Sequence, residues 1–368
     1  MTDFVQLMEA EKGWSPVGDI PRSAGYDAAL AEAVKLINNT DGMPEHRRVF
    51  MIQEAMTTSD FPYLFGDVLD RQLLASYKGV DPVWKAFTRM STNKDFKASY
   101  RFAITGGDQY LARVGEKGEY LASGRGEAKY EMTVLKYGRQ FDISWESLIN
   151  DDLGALKDTP ARFARAAVRT EHRLVTGQYA RNALFSAGTG NAANIELTIA
   201  NLETGVETFQ SYLDAAGEPI MARAKYLVVP PCLEFTARQI LSSATKMWTD
   251  DAGGVATAWP TANVISQTGL QLIVDPYLGV YGGADILTQW YLFPDPNDIA
   301  MFEFAHLSGH ERPEICMKAS DKVSVGGGAV GPFSGDFATD NVFYRVRMCA
   351  GVCTLDWRGG FMGGSTLA

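Results

Sequence analysis

The stretch that decides the fold opens with SYRFAIT (residues 99–105) and runs into GGDQYLARVGEKGEYLASGRGEAKYE (residues 106–131). It returns through MTVLKYGRQFDISW (residues 132–145) and leads to Asp158-Thr159-Pro160. Tyr100–Ile104 predicts a strand, and Met132–Trp145 an alternating strand pair. Asp158-Thr159-Pro160 is a helix-start signal, with a cap candidate followed by the ring that fits a first turn. The excursion between the strands has too few apolar residues for a core of its own. Its alternating Tyr110, Ala112, Val114 and Tyr120 nevertheless call for a partner surface. A hairpin that its own domain cannot bury rests on another molecule.

Length and composition bound the rest. A chain of 368 residues buries a substantial core, in one composite domain or two interleaved ones. With 46% hydrophobic and 21% charged residues, the composition is that of an ordinary globular protein. No run approaches the roughly 18 apolar residues of a membrane span, so no membrane partner is expected. The start, MTDFVQLMEAEKG, carries acids where a secretory signal carries basic residues. Cys232, Cys316, Cys349 and Cys353 show no zinc spacing and read as buried free thiols in a reducing compartment. A net charge of −10 argues against nucleic-acid binding over the whole surface, while leaving room for a local basic face.

Residues 1–60 are acidic and broken by Gly and Pro, with one amphipathic helix at Tyr26–Asn38, and look like an arm laid over something. From Phe61 the chain turns compact, with helices expected at Asp67–Tyr77, Ile195–Leu213 and Cys232–Trp248. In the last of these, Phe235, Ile240 and Leu241 are core candidates. Short strands are expected at Tyr226–Val229, Leu270–Val274, Gln289–Phe293, Ile299–Phe304, Glu314–Lys318 and Val342–Met348. Strands so dispersed make an α+β chain, without the strand–helix alternation of a doubly wound sheet.

Catalytic chemistry finds no foothold. There is no P-loop, no GxGxxG after a strand and no Gly-x-Ser-x-Gly. Gly326-Gly327-Gly328 reads as a turn. His306 and His310, four apart, sit in a segment of poor helix formers and read as solvated loop histidines. Asp151-Asp152 reads as acids favouring a helix start. No catalytic, cofactor or metal residue is assigned, and no enzyme is expected.

The long helix carries more. At about 100° per residue, Arg162, Arg165, Arg169 and Arg173 fall within an arc of about 80°. Phe163, Ala164, Ala167, Leu174, Val175 and Phe185 fall broadly opposite. Two readings fit: an inner surface that meets a polyanion or an acidic neighbour, or a solvated face with local ion pairs. Residues 97–146 hold eight Lys/Arg and seven Asp/Glu. That near-neutral mix suits reciprocal ionic contacts between identical copies, with plain solubility as the alternative.

A family resemblance follows from ordered strings. They are Asp95-Phe96-Lys97 with Arg101-Phe102, then Val114–Tyr120, then Lys136–Glu146, then Leu148–Gly154. Thr58–Pro62 before them and Asp356–Gly360 at the close fit the same pattern. Over roughly residues 57–360 the chain resembles the major capsid proteins of tailed bacteriophages. The resemblance implies the Hong Kong 97-type capsid fold. An N-terminal arm would take residues 1–60, and the peripheral domain would begin at 61–104. An extended hairpin loop would take 105–131, and 132–232 would continue the peripheral domain with a spine helix at 160–186. An axial domain would take 233–340, and 341–368 would return to the peripheral domain. It further implies an inter-subunit loop using Tyr110, Arg113, Glu116, Lys117, Glu119, Tyr120 and Arg125. The arginines of the spine helix would form an interior or inter-subunit face. The implied partners are further copies in hexamers and pentamers, double-stranded DNA held without sequence preference, and portal, scaffolding and decoration proteins. The implied place is the virion, assembled in the host cytoplasm. The rival class is a bacterial nanocompartment shell, which shares the fold and packages enzymes.

Overall fold

The structure, a computed structural model, describes residues 47, 72–78, 82–105, 126–144, 153–180, 184–214, 217–250, 257–281, 287–318, 320–322, 325 and 335–364. In chain order its strands and longer helices are β1 (Arg89–Asn93), β2 (Ser99–Thr105), β3 (Gly126–Met132), β4 (Leu135–Ile143) and α1 (Leu153–Ala180). Then come β5 (Ala192–Ala193), α2 (Ile199–Gln210), β6 (Ala224–Val229), α3 (Glu234–Ser242), β7 (Thr245–Asp250), β8 (Thr257–Ala262) and β9 (Gln271–Val274). The last are β10 (Trp290–Pro294), β11 (Phe302–Leu307), β12 (Glu314–Met317), β13 (Val342–Thr354) and β14 (Phe361–Gly363). The chain forms two compact units. One holds Met1–Asp81, Leu135–Glu171 and His306–Ala350, the other Pro82–Val134, His172–Ala305 and Gly351–Ala368.

In the first unit β13 is the central strand. It pairs antiparallel with β4 over nine residues, from Val342↔Ile143 to Ala350↔Leu135, and with β12 from Glu314↔Arg347 to Met317↔Tyr344. Burial alternates along it: Val342, Tyr344, Val346 and Met348 point inward, and Phe343, Arg345 and Arg347 outward. Phe141 of β4 stacks on Tyr344 at 5.1 Å between centroids and meets Phe163 of α1 edge-on at 5.1 Å. Ala164, Ala167 and Val168 are buried on the same helix. A side chain at Gly138 would bring its Cβ within 2.7 Å of the Val346 carbonyl oxygen, so glycine permits the close approach of β4.

The second unit is built on a sheet in the order β5-β14-β10-β6-β9. β10 runs antiparallel to both its neighbours, whereas β5–β14 and β6–β9 are parallel. Helix α2 starts where Thr198 caps it by accepting the Asn201 N–H, and buries Leu202 and Phe209. Gly205 lies on the same face, and a Cβ there would stand 2.8 Å from the Trp290 ring. Each large side chain fully buried in this cluster contributes about 1.5–3 kcal/mol.

A buried carboxylate, Asp275, closes the end of β9 and is 1% exposed. Its Oδ2 accepts from the Tyr179 hydroxyl and, at 2.6 Å, from Thr176 Oγ1; its Oδ1 lies 3.1 Å from His172 Nε2. The Tyr277 N–H also donates to Oδ1, at 2.8 Å. Tyr179 in turn packs against Phe87, Tyr291, Phe293 and Phe302, with centroids 5.0–6.0 Å away.

Several expectations change. The long helix begins at Leu153, not at Pro160, and ends at Ala180 rather than 186. Pro160 therefore lies inside it and removes one backbone bond, the one a residue there would donate to Leu156. The helix expected at Cys232–Trp248 is a 3-10 turn at Pro231–Leu233 and the nine residues of α3. The chain then turns at Ser243 into the hairpin β7–β8. Phe235, a core candidate, is 81% exposed, because Ala237 and Ile240 define the buried side of α3. Leu213 falls outside α2 and is exposed. The strand β13 runs on to Thr354. The excursion's returning strand is β3, so Ser99–Thr105 pairs with Gly126–Met132, inside the segment read as loop. The helix at Tyr26–Asn38 and Asp151-Asp152 lie outside the described residues.

Burial alone raises the pKa of Asp275, but the hydrogen bond and charge of His172, then the hydroxyls of Thr176 and Tyr179, outweigh it and hold the group below its ordinary 3.8. A depressed folded pKa contributes stability that is present above the ordinary value and lost as pH falls through the folded one. Asp275→Asn should cost about 2–3 kcal/mol near neutral pH. It should also flatten the acid limb of the stability curve below pH ~4. Urea unfolding across pH 2–7 checks both; an unchanged acid limb in the variant would exclude Asp275 as its source.

Candidate functional site

The ribbon β2–β3 has two faces of opposite character. Residues directly opposite in an antiparallel pair share a face, and the register sets Tyr100 against Glu131, Arg101 against Tyr130 and Phe102 against Lys129. Ser99, Arg101, Tyr130 and Met132 are half-buried or buried, whereas Tyr100, Phe102, Lys129 and Glu131 are exposed. The first face is tied down: Arg101 Nε donates to Glu303 Oε1 at 2.8 Å, and Glu303 is buried. Burial raises the Tyr130 hydroxyl, the charge of Asp356 adds to the rise and Arg358 opposes it. The second face leaves Tyr100 45% and Phe102 63% exposed. Lys129 Nζ sits 3.6 Å from the Tyr100 ring centroid, a cation–π contact worth about 0.5–1 kcal/mol at an exposed site. Sequence reasoning did not single out this aromatic face. The alternation in Ser99–Thr105 is the signal that could have found it. The loop candidates Tyr110, Arg113, Glu116, Lys117, Glu119, Tyr120 and Arg125 lie outside the described residues.

The arginine edge is present. Arg162, Arg165, Arg169 and Arg173 are all exposed, while Ala164, Ala167 and Val175 are buried and Phe163 and Leu174 half-buried. Phe185 is buried beyond the helix end. Among the described residues none of the four arginines makes an ion pair; Arg173 instead lies 5.9 Å from the Tyr281 ring.

The remaining candidates resolve differently. His306 is buried in β11 rather than solvated. His310 follows the tight turn that its N–H closes onto the Leu307 carbonyl, and its Nδ1 hydrogen-bonds Glu314 Oε1. Arg347 holds the other oxygen of Glu314, with Nε at 2.9 Å and a terminal nitrogen at 2.8 Å. Burial raises Glu314, and these two partners outweigh it, so its pKa lies below the usual range. Cys349 and Cys353 are buried as expected, and burial pushes the Cys353 thiol up to about 12. Cys316 is half-buried. Cys232 is exposed, contrary to expectation, because it sits on the 3-10 turn before α3. Among the described residues no group of three or more His, Cys, Asp or Glu could hold a metal ion, and no helix is long and apolar enough to cross a membrane.

A mixed helix-and-sheet chain whose aromatic ribbon face and arginine edge are both exposed has the features of an assembling structural protein. The comparison with known families agrees: the phage capsid protein family matches residues 128–362, well over half of the chain. The chain belongs to the phage capsid protein family, a structural family, and the resemblance to tailed-phage major capsid proteins read from its sequence is borne out. No curated protein matches it by sequence. Among solved structures, a chain of Gordonia phage Cozz aligns at 12% identity, over 78% of this chain and 87% of that one, with a TM-score of 0.47. The procapsid of bacteriophage JBD30 aligns at 11% identity over 84% and 77%, with a TM-score of 0.41. The SrpI encapsulin complex from Synechococcus elongatus aligns at 9% identity over 78% and 88%, with a TM-score of 0.44.

The two ribbon faces should separate in a stability measurement. Arg101→Met leaves the buried Glu303 carboxylate without its partner and should lower stability by about 2–3 kcal/mol. Phe102→Ser should stay within about 0.5 kcal/mol of wild type. Urea titration of both variants decides it, and the reverse order would mean the faces are exchanged.

Proposed function

We propose that this chain is the major capsid protein of a tailed phage with the Hong Kong 97-type fold, building hexamers and pentamers that close an icosahedral shell around double-stranded DNA. The family match across residues 128–362 carries the reading. In this reading residues 1–60 are the arm, the segment around 105–131 is the inter-subunit loop, and α1 is the spine helix. Residues 233–340 would form the axial domain and 341–368 the return. The loop residues Tyr110 to Arg125 meet a neighbouring copy, and the arginine edge meets the packaged DNA or an adjoining acidic subunit. Portal, scaffolding and decoration proteins are the further partners, and the virion is the place of action. The exposed aromatic face and the exposed arginine edge, which makes no ion pair among the described residues, support the reading, since both leave surface for contacts with other molecules.

Electron microscopy and sedimentation of the purified protein test it directly. Capsomers or closed shells are the expected outcome, and a monomer at every concentration and salt would overturn it. Particles that contain enzymes and no nucleic acid when recovered from cells would favour the nanocompartment class instead.

Two variants sharpen the assignment. Replacing residues 108–124 with a short Gly-Ser turn preserves every β2–β3 pair and should give a cooperatively folding subunit that builds no closed particles. Arg165→Gln with Arg169→Gln should leave unfolding unchanged, because exposed charges contribute about 1 kcal/mol or less. It should reduce particle yield or DNA content; wild-type values for both would remove the edge from the assembly.

A further inference from the structure

The outer face of the β4–β13–β12 sheet carries a depression that the reading above leaves unused. Cys316, Arg345 and Gln140 form one row across the three strands, because Arg345 pairs with Cys316 on one side and Gln140 on the other. Phe343 stands two residues along the same face of β13, and with Lys318 these residues line about 420 Å³. The ammonium of Lys318 lies 5.3 Å from the Phe343 ring. It also faces Asp336 and, at 3.8 Å, an Asp321 oxygen, so its charge is met within the chain. What the depression offers an incoming group is the half-buried Phe343 ring, the Cys316 thiol and the flat guanidinium of exposed Arg345. A ring face and a guanidinium plane favour an aromatic side chain over a charged one.

The same rim holds such a side chain out. Phe337 is 82% exposed, and among the described residues of this unit it is the only exposed aromatic. Its loop is braced. The Phe337 N–H donates to Asp321 Oδ1 at 2.7 Å, and Asp336 Oδ1 accepts from both the N–H and the hydroxyl of Thr339. The Asp336 N–H donates to the Asn341 carbonyl, and Asp340, held at a left-handed φ of 56°, pairs with Lys322. A ring presented at fixed geometry loses little freedom on docking. Asp321 ties this loop to Lys318 at the lip of the depression, so ring and depression lie side by side on one unit.

We propose that Phe337 enters the Cys316–Phe343 depression of a second copy of the chain, which returns its own Phe337 about a two-fold axis; the proposal rests on the assembly reading. A ring and its receptor side by side make one surface complementary to itself. The charges allow the approach: Lys318, Lys322 and Arg345 are matched in number by Asp321, Asp336 and Asp340, so two such rims meet without an excess of either sign. The Cys316 thiol sits in the row as a natural reporter.

The test uses the full chain with Cys232→Ser, so that the exposed thiol does not compete, and Ala338→Cys, which keeps Phe337 and sets a thiol beside it. Heavy-nitrogen and unlabelled chains are mixed, and diamide takes two thiols to a disulfide while it is itself reduced to the hydrazine. The expected product joins position 338 of one copy to Cys316 of another, recognised by cross-linked peptides that pair a heavy chain with a light one. Phe337→Asp should cut its yield about tenfold, whereas Phe337→Tyr should keep it. Unchanged urea unfolding in both variants separates lost docking from lost folding. A second readout needs no added thiol: with Cys232→Ser alone, alkylation of Cys316 should slow as protein concentration rises, and Phe337→Asp should remove that protection. No mapped link, a link within one chain, or a yield and alkylation rate indifferent to Phe337→Asp would overturn the proposal. Shells that form without the link count against this contact and leave the capsid reading standing; linked pairs that never build shells do the reverse.

Discussion

One buried carboxylate organises the second unit. An ionised group in an apolar interior is costly unless its lone pairs are filled, and Asp275 takes donors from Thr176 and Tyr179 while His172 stands against its other oxygen. All three lie within two turns at the end of α1, so the register of that helix on the end of β9 is specified by hydrogen bonds rather than by shape alone. Tyr179 then spends its ring on Phe87, Tyr291, Phe293 and Phe302. Its hydroxyl faces the carboxylate, so a single residue joins the polar anchor to the aromatic core. Replacing it would strand the charge and open a cavity together.

Much of this architecture was legible as sequence. The strands at Tyr226–Val229 and Glu314–Lys318 and the helix carrying Leu202 and Phe209 follow from short-range alternation or the 3.6-residue stripe, and they stand within a few residues of their expected places. Failures cluster where local signals compete. Pro160 after Asp158-Thr159 reads as a helix start, yet the helix takes in the proline. The apolar stripe of Phe235, Ile240 and Leu241 reads as one long helix, but only Ile240 and Ala237 face the core and the chain turns at Ser243. Asp275 and its partners were invisible, because the donors lie about a hundred residues away and nothing local marks the pairing.

The candidate surfaces divide in the same way. The arginine edge is a property of one helix, so 100° geometry alone exposes it, and all four arginines stand on the solvent side. The aromatic ribbon face depends on which strand pairs with β2. Assigning 126–131 to the loop hid the partner, and with it the coincidence of Phe102 with Lys129. The Arg101–Glu303 bond, 202 residues apart in sequence, makes one face inward and thereby leaves the other outward.

That asymmetry gives the ribbon a polarity. A ribbon held along one side by Arg101 and Met132 offers Tyr100 and Phe102 only on the other. Such a face can be covered in two ways: by the same face of a twin about a two-fold axis, which stops at a dimer, or by a different patch of another copy. Contacts of the second kind run head to tail. They propagate from copy to copy, and whether the series closes into a ring or continues as a filament is decided by the rotation each step imposes.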